Sequence, residues 1–83
     1  MSRRDLLHVL TAVVELAGDE PGTSVDVAAI DERIGRGRGD LRTQLNLASL
    51  AADGLVERVD ATRWAPTPAG VARHRDDEDY ASR

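Results

Sequence analysis

The stretch that decides the fold is residues 50–70, with the sequence LAADGLVERVDATRWAPTPAG. It predicts the end of a helix, two short strands and the start of a new helix. Gly54 stands where a helix end needs a left-handed residue, a conformation that glycine adopts easily because it has no Cβ. Thr67 followed by Pro68 is typical of a helix start, with an N-cap hydroxyl and a proline at the first helical position. The segment between these signals is predicted to be a β-hairpin.

The turn of this hairpin sets which side chains face each other. With residues 61–62 as a two-residue turn, Asp60 pairs with Arg63 and Val59 pairs with Trp64. This arrangement places an ion pair beside an apolar cross-strand pair. Residues 61–62 are Ala-Thr and lack the Asn-Gly signal of a two-residue turn. A looser turn is therefore an open alternative.

Two helices are predicted upstream from the spacing of apolar residues. The first covers residues 5–17, and the second is short and ends at Gly35. Their apolar faces consist of Leu6, Leu10, Val13, Val14 and Ala17 in the first helix and of Val27, Ile30 and Ile34 in the second. The start of the second helix has two interpretations. Either Thr23 is its N-cap, or residues 23–25 form a one-rung strand and Asp26 is the N-cap.

The third helix is predicted to follow Asp40, as its N-cap, and to run to Asp53. A broad, mainly apolar arc predicts that it is the central buried helix. The arc consists of Leu41, Gln44, Leu45, Leu47, Ala48, Leu50, Ala51 and Ala52, and the opposite polar strip of Arg42, Asn46, Ser49 and Asp53. A fourth helix is predicted from Thr67 to about residue 76. We expect one domain, residues 1–75, followed by residues 76–83 as an acidic tail or a helix extension.

The composition restricts the classes of function. The 83 residues contain no cysteine, which excludes disulfides and thiolate chemistry. No apolar run is long enough to cross a membrane and no signal peptide opens the chain, so we expect a soluble cytoplasmic protein. All 11 basic residues are arginine, 15 residues are acidic, and the net charge is −4. Two explanations fit this pattern, a GC-rich genome or adaptation to high salt, where acidic, lysine-poor surfaces stay hydrated.

The order of helix, helix, helix, hairpin and helix resembles the winged helix-turn-helix superfamily of transcription regulators. The resemblance is carried by Leu-x-x-Asp-Gly-Leu-Val-Glu-Arg in residues 50–58 and Arg-Trp-x-Pro-Thr-Pro-Ala-Gly in residues 63–70, which are similar to MarR-like and PadR-like regulators. It covers roughly residues 6–75. It implies a mainly α fold with a three-helix core, a short β-hairpin as the wing and a C-terminal helix. One departure is the Gly-Arg-rich segment 35–39, which lengthens the turn before the third helix.

In this superfamily the third helix enters the major groove of duplex DNA. The resemblance therefore implies base contacts from Arg42, Thr43 and Asn46, since arginine can pair with guanine and asparagine with adenine. The other interpretation makes them solvated side chains on the polar side of a buried helix. The wing would add Arg58 and Arg63 against phosphate or the minor groove.

Arginines are concentrated just before the third helix and at its start. Arg33, Arg36, Arg38 and Arg42 fall within ten residues that contain one acidic residue, Asp40. This cluster predicts a phosphate clamp, with glycines that let the backbone approach closely. The alternative is an exposed loop whose arginines pair with acidic neighbours, namely Asp31, Glu32 and Asp40. At the wing, an ion pair of Arg63 with Asp60 is likewise an alternative to DNA contact.

The sequence contains no recognisable catalytic or metal-binding pattern. His8 and His74 each lack a second histidine or a cysteine nearby, which argues against a metal site, and no serine has a base at a catalytic spacing. We therefore expect no enzyme activity, no metal and no cofactor. The predicted partner is double-stranded DNA, and the alternative is an acidic protein that docks on the arginines. We also predict a homodimer through the terminal helices. Its interface would comprise Leu6, Leu7, Val9, Leu10 and Val13 from the first helix and Val71, Ala72 and Tyr80 from the last.

Overall fold

The computed structural model describes residues 3–37 and 41–81, with only the backbone described for residues 78–81. This part of the chain is mainly helical and carries a small antiparallel sheet, as predicted for the fold class. The elements in chain order are α1 (Arg3–Leu16), β1 (Val25–Asp26), α2 (Val27–Arg33), α3 (Leu41–Ala52), β2 (Val56–Arg58), β3 (Arg63–Pro66) and α4 (Pro68–Ala81). Asp40, the predicted N-cap of α3, lies outside the described residues.

The start of α2 follows the second of the two interpretations. Asp26 ends β1 and caps α2, because its carboxylate accepts a hydrogen bond from the amide of Ala28 at 2.8 Å. β1 pairs with β3 through Val25 opposite Trp64. The amide of Val27 then donates to the carbonyl of Thr62 at 2.8 Å, which ties the start of α2 to the hairpin.

The hairpin is present and has the looser turn that was the open alternative, so the register expected for a two-residue turn is wrong by one residue. The sheet order is β1-β3-β2, and Arg58, not Val59, lies opposite Trp64. The cause is a three-residue turn, in which the amides of Val59 and Asp60 both donate to the carbonyl of Arg63, at 2.9 and 3.2 Å. The Asp60 carboxylate accepts from the amides of Thr62 and Arg63 and so replaces the missing turn signal. Val59 is exposed as a result.

The core is organised around α1, which contacts α2, α3, α4 and β3. The prediction that α3 is the central buried helix is therefore wrong. The buried apolar residues are Val9, Leu10, Ala12, Val13, Val14, Ala17, Val25, Ile30, Leu47, Leu50, Val56, Trp64, Ala65 and Val71. Within residues 3–37 and 41–81, no helix is long and apolar enough to cross a membrane.

The junction between α3, the hairpin and α4 follows the sequence signals. Gly54 has a φ of 77°, the left-handed conformation expected after the end of a helix. The Thr67 hydroxyl donates to the carbonyl of Gly54 at 2.6 Å and accepts from the amide of Gly70 at 3.0 Å, so it caps α4 and joins it to α3. α4 continues to Ala81, which makes residues 76–81 a helix extension and not a tail.

Gly70 is required by the close approach of α4 to the hairpin. A Cβ at this position would collide with the carbonyl oxygen of Leu55, which is backbone and cannot rotate away. We expect Gly70→Ala to lower the free energy of unfolding by about 1–3 kcal/mol, the usual cost of overpacking. Gly37→Ala is the matched control, because a Cβ at Gly37 would meet nothing within 4 Å. Denaturant unfolding compares the two variants, and equal stability would refute the steric explanation.

Candidate functional site

Arg36 lies in the predicted phosphate clamp, but its side chain is turned inward. Gly35, with a φ of 78°, ends α2 and reverses the chain, so the amide of Arg36 donates to the carbonyl of Asp31 at 2.8 Å. The Arg36 guanidinium donates through Nη1 to Oγ1 of Thr43 at 3.1 Å and to Oδ1 of Asn46 at 2.9 Å. Its Nη2 lies 3.9 Å from Oδ1 of Asp5, and the side chain is only 11% exposed.

Asp31 is the buried carboxylate of this group. The Thr43 hydroxyl donates to Oδ1 of Asp31 while it accepts from Arg36. Thr43 therefore links the buried Asp31 carboxylate to the nearly buried Arg36 guanidinium. A charged group in a low-dielectric interior needs such hydrogen bonds and an opposite charge nearby. Oδ2 of Asp31 has no hydrogen-bond partner among the described residues. We call Asp5, Asp31, Arg36, Thr43 and Asn46 the Arg36 network.

The Arg36 network changes the assignment of three predicted DNA contacts. Thr43 is 0% and Asn46 is 2% exposed, so the interpretation of these two residues as solvated side chains is wrong. Oγ1 of Thr43 and Oδ1 of Asn46 both accept from Arg36, and neither side chain is exposed to a groove. Arg36 is likewise held by α1 and α3. In this conformation the three residues orient α3 against the other helices.

The solvent face of α3 is apolar at its centre, which the sequence did not predict. Leu41 is 77% and Leu45 is 59% exposed, and Ala48 and Ala52 are exposed as well. These four residues, spaced i, i+4, i+7 and i+11, form what we call the α3 stripe. It lies on the side of the helix opposite Thr43, Leu47 and Leu50 (and Asn46), which face the core. Had Thr43 and Asn46 been taken as inward residues, the same helical periodicity would have placed the stripe outside.

Of the predicted contacts on α2 and α3, Arg33 and Arg42 remain at the surface. Arg42 is exposed at the start of α3, beside the α3 stripe, and Gln44 is exposed on the other flank. Arg33 forms an ion pair with Glu15 at 3.4 Å, with both side chains about half exposed. Its partner thus lies on α1 and is not one of the acidic neighbours expected from the sequence. Arg38 lies outside the described residues.

The wing arginines are exposed, and one of them is paired. Arg63 lies 2.6 Å from the Asp60 carboxylate, as the ion-pair alternative predicted. The side-chain hydrogen bond from Arg63, together with backbone hydrogen bonds, lowers the pKa of Asp60 from 3.8 to about 2. Nε of Arg58 donates to the backbone carbonyl of Asp60 at 3.2 Å. The wing tip therefore keeps a negative charge beside its two arginines.

The predicted dimer interface is only partly accessible. Val9, Leu10, Val13 and Val71 are buried in the core of the chain itself, so they are not available to a second copy. The Tyr80 side chain lies outside the described residues. What remains on this side is an open groove of about 200 Å³, lined by Arg3, Leu6, Leu7, Leu10, Leu50, Asp53, Leu55 and Arg73.

In the described part of the chain, no group of three or more His, Cys, Asp or Glu residues could hold a metal ion. Comparison of the chain with protein-family models, with curated proteins and with solved structures finds no match in any of the three.

The Arg36 network makes a direct prediction about stability. Arg36→Met is expected to lower the free energy of unfolding by about 3 kcal/mol, because Thr43 and Asn46 lose a donor and Asp31 loses the positive charge that Thr43 bridges to it. Arg33→Met, which removes an arginine from a half-exposed ion pair, is the matched control and should cost about 0–1 kcal/mol. Denaturant unfolding at one ionic strength measures both. Equal losses in the two variants would show that Arg36 has no special structural role.

Proposed function

We propose that this chain is a cytoplasmic winged helix-turn-helix protein that binds duplex DNA through the exposed face of α3 and regulates transcription. The order of elements supports this, because β1 follows α1, α2 and α3 follow β1, and the β2–β3 hairpin precedes α4. This is the arrangement that the superfamily resemblance implies, with α3 as the recognition helix and the hairpin as the wing.

The observation that carries the proposal is the separation of charge along the chain. Residues 33–52 contain four arginines and one aspartate, a net charge of +3, so the rest of the chain carries −7 to reach the total of −4. Within this segment Arg36 is held in the Arg36 network and Arg33 is paired with Glu15, so the support for a polyanion comes from the exposed Arg42 on a helix face without acidic residues. That segment runs from Arg33, the last residue of α2, to the end of α3, and α3 itself contains no acidic residue.

The exposed residues of α3 supply revised base contacts. Arg42 and Gln44 flank the α3 stripe and replace Thr43 and Asn46, which are buried. Arginine pairs bidentately with guanine, and glutamine pairs with adenine, in the major groove. In this proposal Arg33 and Arg38 meet phosphates, whereas the Arg36 network holds α3 at the angle that presents its outer face.

At the wing, Arg58 and Arg63 are proposed as weaker backbone contacts. Both side chains are exposed, but the Asp60 carboxylate pairs with Arg63 and repels phosphate nearby. The wing therefore contributes less attraction than its two arginines suggest.

A second function is favoured by the exposed leucines of α3. Two large apolar side chains on one exposed face are common at protein–protein interfaces. Leu41 and Leu45 would then anchor a protein partner, and Arg42 would pair with its acidic residues. Under this alternative the chain is a winged-helix interaction module that does not bind DNA.

Selection of duplex genomic fragments on the purified protein, from low to molar ionic strength, tests the first function. We expect sequence-dependent retention, and Arg42→Ala should weaken binding of the selected duplex by about 10- to 100-fold, the range for loss of one bidentate base contact. Arg75→Ala is the matched control, since it removes the same charge from an exposed position on α4. Absence of sequence-dependent retention across the salt range would leave the protein-interaction module as the better account.

We also propose that the chain forms a two-fold homodimer, which would present two copies of α3 to a palindromic site. The groove between α1, α3 and α4 supports this, because the half-buried Leu6, Leu7 and Leu55 form part of its lining. A second copy could cover these side chains without disturbing the core.

Light scattering tests the dimer, which should have about twice the 9.0 kDa mass of one chain. Leu7→Glu is expected to convert it to a monomer, because the substitution places a charge among the groove leucines. His8→Glu, which adds a charge at the exposed neighbouring position, should leave the mass unchanged. A wild-type mass near that of a single chain under the conditions used for DNA binding would rule the dimer out.

A further inference from the structure

The α3 stripe is an apolar surface that remains exposed to solvent among the described residues. Four large apolar side chains are exposed in the part of the chain that the structure describes, and two of them, Leu41 and Leu45, share this stripe. The other two, Leu16 and Val59, lie on α1 and at the wing, in different elements. In an isolated chain, two exposed leucines on one helical face forgo the free energy of burial, because their apolar area stays in water.

The stripe is aligned with the centre of the proposed recognition surface. At about 100° per residue, Leu41, Leu45, Ala48 and Ala52 fall within about 60° of one another. Arg42 lies about 100° to one side of Leu41 and Gln44 about 60° to the other. The apolar residues therefore occupy the middle of the outward face, where a groove floor would meet the helix, and the polar residues occupy its edges.

Charge identifies the occupant of this surface. The stripe lies beside the exposed Arg42 on a helix that contains no acidic residue, in a chain of net charge −4, which favours a polyanion over an acidic surface. In the major groove of duplex DNA, the apolar group that bases present is the 5-methyl group of thymine. A polyanion that also offers apolar contacts matches both properties of the face.

We propose that Leu41, Leu45 and Ala48 contact thymine 5-methyl groups. The chain would then select DNA sites with thymines near the centre of the half-site that each α3 contacts. This inference rests on the proposed DNA-binding function. The three residues lie within eight consecutive positions, seven steps of about 1.5 Å, which give a rise of about 10 Å. That length corresponds to about three base-pair steps of about 3.4 Å, so the stripe covers a run of two to four thymines on either strand.

The proposed contacts also suit an acidic protein. Contacts between arginine and phosphate weaken steeply as salt rises, because fewer counterions are released. Burial of methyl groups carries no such penalty and is strengthened by salts that are excluded from apolar surfaces. Discrimination for thymine is therefore expected to persist at ionic strengths where the phosphate contribution has become small.

Replacement of thymine by deoxyuridine in a selected duplex tests the inference, because it removes the methyl group and leaves charge and base pairing intact. We expect each replacement within the central run to weaken binding about fourfold, the fold-change for loss of one buried methyl-sized group. Replacement of thymines outside the contacted site is the internal control and should have no effect. The loss should be of similar size at low and at high salt.

A matched pair of variants assigns the effect to the stripe. Leu45→Gln should remove the discrimination between thymine and deoxyuridine at the position that Leu45 contacts. Leu16→Gln, the same change at an exposed leucine of α1, should retain it. Both positions are exposed, so both variants should fold, and circular dichroism with thermal unfolding checks this.

The outcomes separate the inference from the proposed function. If the wild type retains no duplex selectively, the DNA-binding function itself fails. If it retains duplexes but binds the deoxyuridine version equally well, DNA binding stands and the thymine contact is refuted. If Leu45→Gln leaves both the affinity and the discrimination unchanged, the stripe does not face DNA, and a protein partner becomes its better occupant.

Discussion

One charged side chain, Arg36, ties α3 to α1 and α2. Its guanidinium reaches Asp5 on α1 and both Thr43 and Asn46 on α3, while its own amide is bound to the end of α2. These bonds occupy positions of α3 that leucine or valine would fill in an ordinary amphipathic helix. The apolar residues of the helix are consequently divided. Leu47 and Leu50 join the core, and Leu41 and Leu45 turn to solvent. Because the buried face of α3 carries the hydrogen-bond partners of Arg36, part of the helix's apolar surface is left on its exposed face.

The part of the fold that could be predicted is the part governed by local signals. Gly54 and Thr67 identify the end of α3 and the start of α4, because a left-handed residue and a capping hydroxyl act within a few residues. The hairpin register could not be predicted from strand alternation. Asp60 uses its carboxylate to satisfy two turn amides, which adds one residue to the turn and shifts every cross-strand pair. One side chain thus outweighed the apolar pairing of Val59 with Trp64.

The candidate site was harder to predict because its determinants are tertiary. Helical periodicity assumes that polar residues are solvated, and Thr43 and Asn46 break that assumption through a partner seven and ten positions earlier. Spacing within α3 contains no sign of that partner. The density of arginines before α3 was visible in the sequence, but its division into a nearly buried residue, Arg36, and exposed ones such as Arg42 was not. An arginine cluster can therefore hold a helix in place as readily as it can attract a phosphate.

The Thr67 hydroxyl, which joins the carbonyl of Gly54 to the amide of Gly70, has a consequence for how the chain can vary. Together with the bond from the amide of Thr67 to the carbonyl of Leu55, it closes residues 55–66 into a loop whose two ends are fixed side by side. The tip of that loop, residues 60–62, contributes no side chain to the core, and the carbonyl of Thr62 ties its last residue to the start of α2. Extra residues that leave this bond in place would cost little more than the slowly rising entropy of a longer loop. The hairpin can therefore change its length and charge during evolution while α3 and α4 keep their places.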